Sequence, residues 1–261
     1  MKQVVVLTGG SSGIGKAAAT LFAAKGWAVY ELSRSGQSAA GVTHIACDVT
    51  DEMQVRQAVA EVLAKESRVD VLLSNAGFGI SGAVEFTDTA DAKRQFDVNF
   101  FGSLNVVKAV LPAMRSRHSG RIVFTSSVAA VLSIPYQAFY SASKSAINAL
   151  ALALRNEVAE FGITVTAVMP GDVSTGFTDA RSKSLAGGEV YTHMQRAVEA
   201  MEKDERGGMT CDYLAQQLYR AATVRNPKPL YTAGFSYRIF VVLEKLLPKR
   251  LSNWIVGKLY S

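Results

Sequence analysis

Short apolar runs alternate with longer stretches of helical character along most of the chain. Val4–Thr8 is an apolar run that ends at glycines, as a strand buried on both faces does. Residues 13–25 are alanine-rich and helical in character, stopping at Gly26. Ala28–Ser33 and residues 44–47 read as the second and third strands. Residues 51–66 read as a helix, with Asp51 and Glu52 at the positive end of its dipole. A fourth strand at 69–74, a long helix from about 91 to 117, a fifth strand at 121–126, a helix at 138–160 and a sixth strand at 163–169 follow. Repeated β-α-β units of this kind predict one α/β domain over residues 1–261, a doubly wound parallel sheet with helices on both faces.

Residues 172–208 break the rhythm. They are polar, contain Gly187–Gly188 and Gly207–Gly208, and precede a further helix from Cys211. A connection this long, following the C-terminal end of a strand where open α/β sheets bind ligands, predicts a substrate lid.

Composition narrows the function. A chain of 261 residues, 49% hydrophobic and 19% charged, reads as a soluble globular domain. Two distant cysteines, Cys47 and Cys211, offer neither a disulfide framework nor a metal cluster, so the expectation is a reducing compartment and no metal. The first apolar run is too short for a signal-peptide core and no stretch reaches membrane-spanning length, so the expected location is cytoplasmic. The net charge of +6 is a property of the tail. Residues 228–261 carry six bases and one acid, against 22 bases and 21 acids in residues 1–227, which argues against nucleic-acid binding by the main domain.

Thr8-Gly9-Gly10-Ser11-Ser12-Gly13-Ile14-Gly15 joins the first strand to the first helix. Glycines there allow a tight turn and close approach to a pyrophosphate, whose charge suits the helix N-terminus. In this setting the motif points to a Rossmann-type dinucleotide site. The same residues fit a G-x-S-x-G nucleophile elbow, with Ser11 as nucleophile and His44, His118 or His193 as base. An elbow after the first strand has no preceding strand to supply an oxyanion hole, which disfavours a hydrolase. The second strand ends Glu31-Leu32-Ser33-Arg34, putting Ser33 and Arg34 at the adenosine ribose with no acid in that place. Arg34 suits a 2′-phosphate, so NADP(H) is favoured over NAD(H), unless Arg34 is simply a solvated surface residue.

Tyr140 and Lys144 fall one turn apart on a predicted helix. A nearby ammonium lowers a phenol pKa toward neutrality and makes it a usable acid/base. With the glycine motif, Ser74-Asn75-Ala76-Gly77, Asp97-Val98-Asn99, Ser126-Ser127 and Pro170-Gly171-Asp172-Val173-Ser174-Thr175, the chain resembles the short-chain dehydrogenase/reductase family over at least residues 3–176. Ser74 departs from the Asn often first in that turn. The resemblance implies an NAD(P)-dependent oxidoreductase interconverting a ketone or aldehyde and an alcohol. It implies Tyr140 as proton donor, Lys144 as its activator and ribose ligand, and Ser127, with Ser126 as its rival, on the substrate oxygen. Asn99 would organise a water or merely brace the helix. Asp48 would contact the adenine, Val173 and Thr175 would address the carboxamide, unless Thr175 only caps a helix, and Val49, Asn75, Ala76, Gly77, Pro170 and Gly171 would also bind the cofactor. It also implies a homodimer or homotetramer built on helices near 99–114 and 142–154.

Phe78, Ile80, Val128, Leu132, Ile134, Tyr136, Met169 and Phe177 are expected to face the cleft, unless several are core. They suggest a steroid-, retinoid- or acyl-like small-molecule substrate. A non-enzymatic NADP(H) sensor is the rival reading, opposed by the intact Ser127/Tyr140/Lys144/Asn99 set. In the tail, residues 235–247 and 251–260 read as amphipathic helices flanked by Lys245, Lys249, Arg250 and Lys258. They suit peripheral contact with an anionic membrane, or, as the simpler reading, a cover over the pocket or a subunit interface.

Overall fold

A computed structural model of the chain describes residues 2–184 and 186–260. The wholly buried run Val4–Thr8 forms β1. It is followed by α1 (Gly13–Ala24), β2 (Ala28–Ser33), β3 (Val42–Ala46), α2 (Glu52–Glu66), β4 (Val71–Ser74) and a two-residue strand β5 (Ile80–Ser81). Then come α3 (Thr89–Phe96), α4 (Gly102–Ser116), β6 (Gly120–Thr125), α5 (Ala138–Glu157) and β7 (Ile163–Pro170). The chain continues with the one-turn α6 (Phe177–Ala180), the short β8 (Ser182–Lys183), α7 (Met194–Arg206), α8 (Cys211–Thr223), β9 (Leu230–Ala233), α9 (Phe235–Leu246) and α10 (Lys249–Leu259).

Seven strands form one parallel sheet in the order β3-β2-β1-β4-β6-β7-β9. Alternation along β1 divides the core in two. Val4 and Val6 face one layer with Val55, Val59, Val106, Val110 and Ile147 from α2, α4 and α5. Val5 and Leu7 face the other with Ala18, Phe22, Leu214 and Leu218 from α1 and α8. The chain winds outward from β1 through β2 to β3, then returns to place β4 on β1's other side. That reversal leaves a crevice at the C-terminal strand ends, where open α/β sheets bind ligands.

Three features differ from the pattern expected of the sequence. The helix expected over about 91–117 is two helices joined by a π-helical turn, Asp97–Phe101. Gly102 sits where a Cβ would lie 2.7 Å from Val49 Cγ2, so the chain passes tightly over the loop after β3. A wider turn of this kind re-aims side chains and recurs at functional sites, and here its one buried residue is Asn99. A seventh strand, β9, extends the sheet beside β7. Residues 172–208 hold ordered elements: β8 pairs in parallel with β5, and α7 buries Met194, Ala197, Val198 and Met201.

Candidate active site

The crevice between β1 and β4 opens into a cleft of about 880 Å³. Gly9 has φ +70°, and a Cβ there would lie 2.9 Å from Ala76 Cα, so glycine lets the loop after β1 meet the loop after β4. Thr8 Oγ1 accepts from the backbone N–H groups of Asn75 and Ala76, each at 3.0 Å. The Asn75 amide donates back to the carbonyls of Thr8 at 3.2 Å and Gly9 at 3.3 Å. A Cβ on Gly15 would fall 2.1 Å from the Gly9 carbonyl oxygen, so α1 begins directly against the loop. Its first N–H groups favour an anionic ligand.

Gly9, Ser11, Ser12, Gly13, Ile14, Ser33, Arg34, Asp48, Val49, Asn75, Ala76, Gly77, Pro170, Gly171, Val173 and Thr175 line the cleft together with Ser127, Tyr140 and Lys144. Gly15 and Asn99 do not. Gly15 is the packing glycine just described. The Asn99 amide is spent on the Phe78 backbone, accepting from its N–H at 3.0 Å and donating to its carbonyl at 3.1 Å, and on Ser143 Oγ at 3.1 Å. Asn99 therefore braces the loop after β4 from behind.

Glu31 has a place that the strand pattern does not reveal. Buried within β2, it accepts from the Gly10 N–H through Oε1 at 2.9 Å and meets His44 Nδ1 through Oε2 at 2.6 Å. A Cβ on Gly10 would lie 2.2 Å from Glu31 Cγ. The only acid near the end of β2 is thus consumed beneath the glycine loop, and Ser33 and Arg34 reach the cleft in its place. The sequence signal was a carboxylate inside an otherwise apolar run. Ser33 Oγ is buried without a hydrogen-bond partner, which, with the glycine cradle, fits a bound ribose or phosphate oxygen. Among the described residues none of the three histidines bonds Ser11, and His44 is committed to Glu31.

Beyond β6, Ser126 Oγ turns back to the Lys144 carbonyl at 3.3 Å. Ser127 Oγ accepts from the Ala129 N–H at 3.1 Å and hydrogen-bonds to the Tyr140 phenol, so geometry separates the two serines. Tyr140 and Lys144 occupy the first two turns of α5. Lys144 Nζ lies 5.8 Å from the Tyr140 ring centroid and donates to the Thr125 carbonyl at 2.8 Å. Burial pushes the Lys144 ammonium down to about 8. Burial also pushes the Tyr140 phenol up to about 12; the Ser127 hydrogen bond and Arg181 pull it down, while Glu205 and Asp172 push it up. The expectation that the phenol is brought down toward neutrality is corrected for the chain alone: its net shift is upward. Desolvation governs both groups, and the lysine's hydrogen bond goes to Thr125.

The substrate side is more polar than its sequence suggests. Phe78, Val128, Ile134 and Phe177 line the cleft, whereas Ile80, Leu132, Tyr136 and Met169 do not. Ile80 is buried in β5, Met169 packs in the core beside Val128 and Val241, and Tyr136 packs against α7. Arg94, Gln137, Asp172, Ser182, Met201, Glu205 and Tyr260 line it as well. Glu205 accepts from Thr178 Oγ1 at 2.7 Å and pairs with the buried Arg181. Burial holds Asp172 above the usual carboxylate range, partly offset by a 2.5 Å hydrogen bond from Tyr237 Oη. A Cβ on Gly171 would lie 2.3 Å from the Tyr237 ring, so α9 rests directly on the loop after β7. The tail thus lines the cleft through Tyr260, and Tyr237 backs the lining residues Gly171 and Asp172.

A family profile described as short chain dehydrogenase matches residues 3–186. A 3-ketodihydrosphingosine reductase of Bacteroides thetaiotaomicron is 41% identical over 264 residues, covering 99% of this chain and 98% of that protein. The crystal structure of a short-chain dehydrogenase from Streptomyces avermitilis superposes with a TM-score of 0.87 at 29% identity, covering 99% of this chain and 97% of the other. The structure of ElxO with NADP bound gives a TM-score of 0.77 at 27% identity, covering 92% of this chain and all of the other.

Proposed function

This chain belongs to the short-chain dehydrogenase family of nicotinamide-dependent oxidoreductases, and we propose that it uses NADPH to reduce the keto group of an apolar, long-chain substrate. The observation that carries the proposal is the meeting of Ser127, Tyr140 and Lys144 in the cleft that the glycine loop enters. The reduced nicotinamide supplies the hydride that adds to the carbonyl carbon.

Ser127 Oγ and Tyr140 Oη donate hydrogen bonds to the carbonyl oxygen where negative charge develops. Tyr140 Oη then gives up its proton to that oxygen. With its pKa raised to about 12, the phenol is fully protonated at neutral pH, the form that reduction needs. Lys144 supplies positive charge near the ring to stabilise the phenolate left behind. Asn99 holds the loop that carries Gly77 and Phe78.

Ser33 and Arg34 at the rim support a preference for NADP(H), as does similarity to a protein solved with NADP. Phe78, Val128, Ile134 and Phe177, and a relative named for a ketone of a long-chain base, support the apolar substrate. Residues 172–208 act as the lid, bringing Phe177 and Glu205 to the cleft. Phe101 and Leu152, both exposed near or on α4 and α5, support a homodimer or homotetramer through those helices.

The test follows NADPH oxidation optically with a panel of ketones of increasing chain length. Turnover should rise with chain length. Tyr140→Phe should lose on the order of 10²–10⁴-fold in rate while retaining NADPH binding by fluorescence. Activity of Tyr140→Phe within a few-fold of the parent protein excludes the role given to Tyr140, and a panel without turnover refutes the reductase reading.

A further inference from the structure

The tail helices bury little and expose much. On α9 the buried side is the narrow stripe Tyr237, Val241 and Glu244. At 3.6 residues per turn, Phe235, Ile239, Val242, Leu243 and Leu246 fall together on the opposite side, and all five are exposed. On α10, Ser252 and Val256 are buried, while Leu251, Trp254, Ile255 and, at the helix end, Leu259 are exposed. Ten of the seventeen exposed large apolar side chains among the described residues lie between Phe235 and Leu259. Only partly exposed, and at about 150–250 Å² for the largest when fully open, they sum to on the order of 1,000 Å² of apolar surface on two consecutive helices, where one contiguous patch on a monomer is ordinarily about 300–600 Å².

Charge selects the occupant. Arg238, Lys245, Lys249, Arg250 and Lys258 border these faces, and Glu244 is the only acid on the two helices. Glu244 is buried and paired with Lys249. Among the described residues Lys245, Arg250 and Lys258 have no acidic partner. A self-complementary contact between two copies would bring these cations against one another with no acid to meet them. A surface both apolar and anionic satisfies both halves of the pattern. Among the described residues no helix is long and apolar enough to cross a membrane, so the contact is with the bilayer surface.

We propose that α9 and α10 form a docking surface for an anionic lipid bilayer, with their outward apolar side chains at the acyl boundary and their cations among the headgroups. The same segment adjoins the cleft: Tyr260, at the end of α10, lines it, and Tyr237 on α9 hydrogen-bonds to the lining residue Asp172. Docking therefore brings that side of the cleft to the membrane, where a lipid-like molecule is concentrated. The proposal does not rest on the reductase reading, because binding is measured without turnover.

The experiment uses the full chain and sedimenting vesicles of neutral phosphatidylcholine, with or without one quarter phosphatidylglycerol, at low and at physiological salt. Binding should require phosphatidylglycerol and weaken with salt as the charges are screened. A Lys or Arg near the surface contributes about fivefold in partitioning. Arg250→Gln with Lys258→Gln should therefore weaken binding by about 30-fold, and Phe235→Ser with Leu246→Ser should abolish it. Unchanged circular dichroism establishes that these exposed-site variants fold. Trp254 fluorescence should shift to the blue on binding, while the buried Trp27 stays constant. Failure to sediment with anionic vesicles at low salt overturns the proposal. So does a dimer, seen by analytical ultracentrifugation, that Phe235→Ser with Leu246→Ser dissociates, because the occupant is then a second copy.

Discussion

Lys144 should make the free protein less stable, and replacing it should show this. The side chain is 5% exposed, and burial lowers its pKa from 10.5 to about 8. That difference corresponds to about 3 kcal/mol of penalty on the charged form. Lys144→Met keeps the bulk and removes the charge, at the loss of the hydrogen bond to the Thr125 carbonyl, a term of about 1–2 kcal/mol. The variant without cofactor should therefore be more stable at pH 7 by about 1–2 kcal/mol, or roughly 2–6 °C for a chain of this size, while losing turnover. The sign with pH is fixed by linkage. Below about 8 the lysine is charged in both states and the full penalty stands. Between about 8 and 10.5 the unfolded chain binds more protons than the folded one, so the parent protein gains stability as pH rises. Urea unfolding of both proteins at pH 7 and pH 9.5 should show the variant's advantage falling by about 2 kcal/mol, enough to cancel or reverse it. If the difference between the two proteins is the same at both values, the burial argument is wrong.

Arg34→Ala should erase most of an NADPH preference of about 10- to 150-fold, and Ser33→Asp should move it toward NADH; titration of each cofactor by fluorescence checks both, and equal binding by the parent protein refutes the assignment. Gly10→Ala drives a methyl into Glu31 and should cost about 1–3 kcal/mol, while Glu31→Ala strands the buried Gly10 N–H and should cost a similar amount. The double variant should lose less than the sum in urea unfolding, since the clash disappears with the side chain, and strict additivity would refute the contact.

The sheet was legible because its central strands are buried on both faces and its helices carry a 3.6-residue stripe. β1 and β2 match their expected bounds residue for residue. β9 escaped because Leu230–Ala233 is short and only partly buried, and follows Pro229. α7 was readable in principle: Met194, Ala197, Val198 and Met201 have helical spacing, but the surrounding polarity and glycines pointed to a loop. The cofactor cradle could be read because its glycines are required by backbone geometry. The substrate side could not, since residues such as Glu205 and Tyr260 reach the cleft from elements distant in sequence. Nor could the high pKa of Tyr140, because desolvation depends on what packs over the phenol and not on the Tyr140–Lys144 spacing.

The Tyr237 ring occupies the space that a side chain at position 171 would take. Positions 171 and 237, distant in the chain, are therefore a single heritable unit. A recombination event that joined a foreign tail bearing an aromatic ring at 237 to a body with any larger residue at 171 would lift α9 off the sheet. The Tyr237 hydroxyl would leave Asp172 at the same time. Viable crossovers between relatives should accordingly fall before Gly171 or after Tyr237, so that the ring and the glycine travel together.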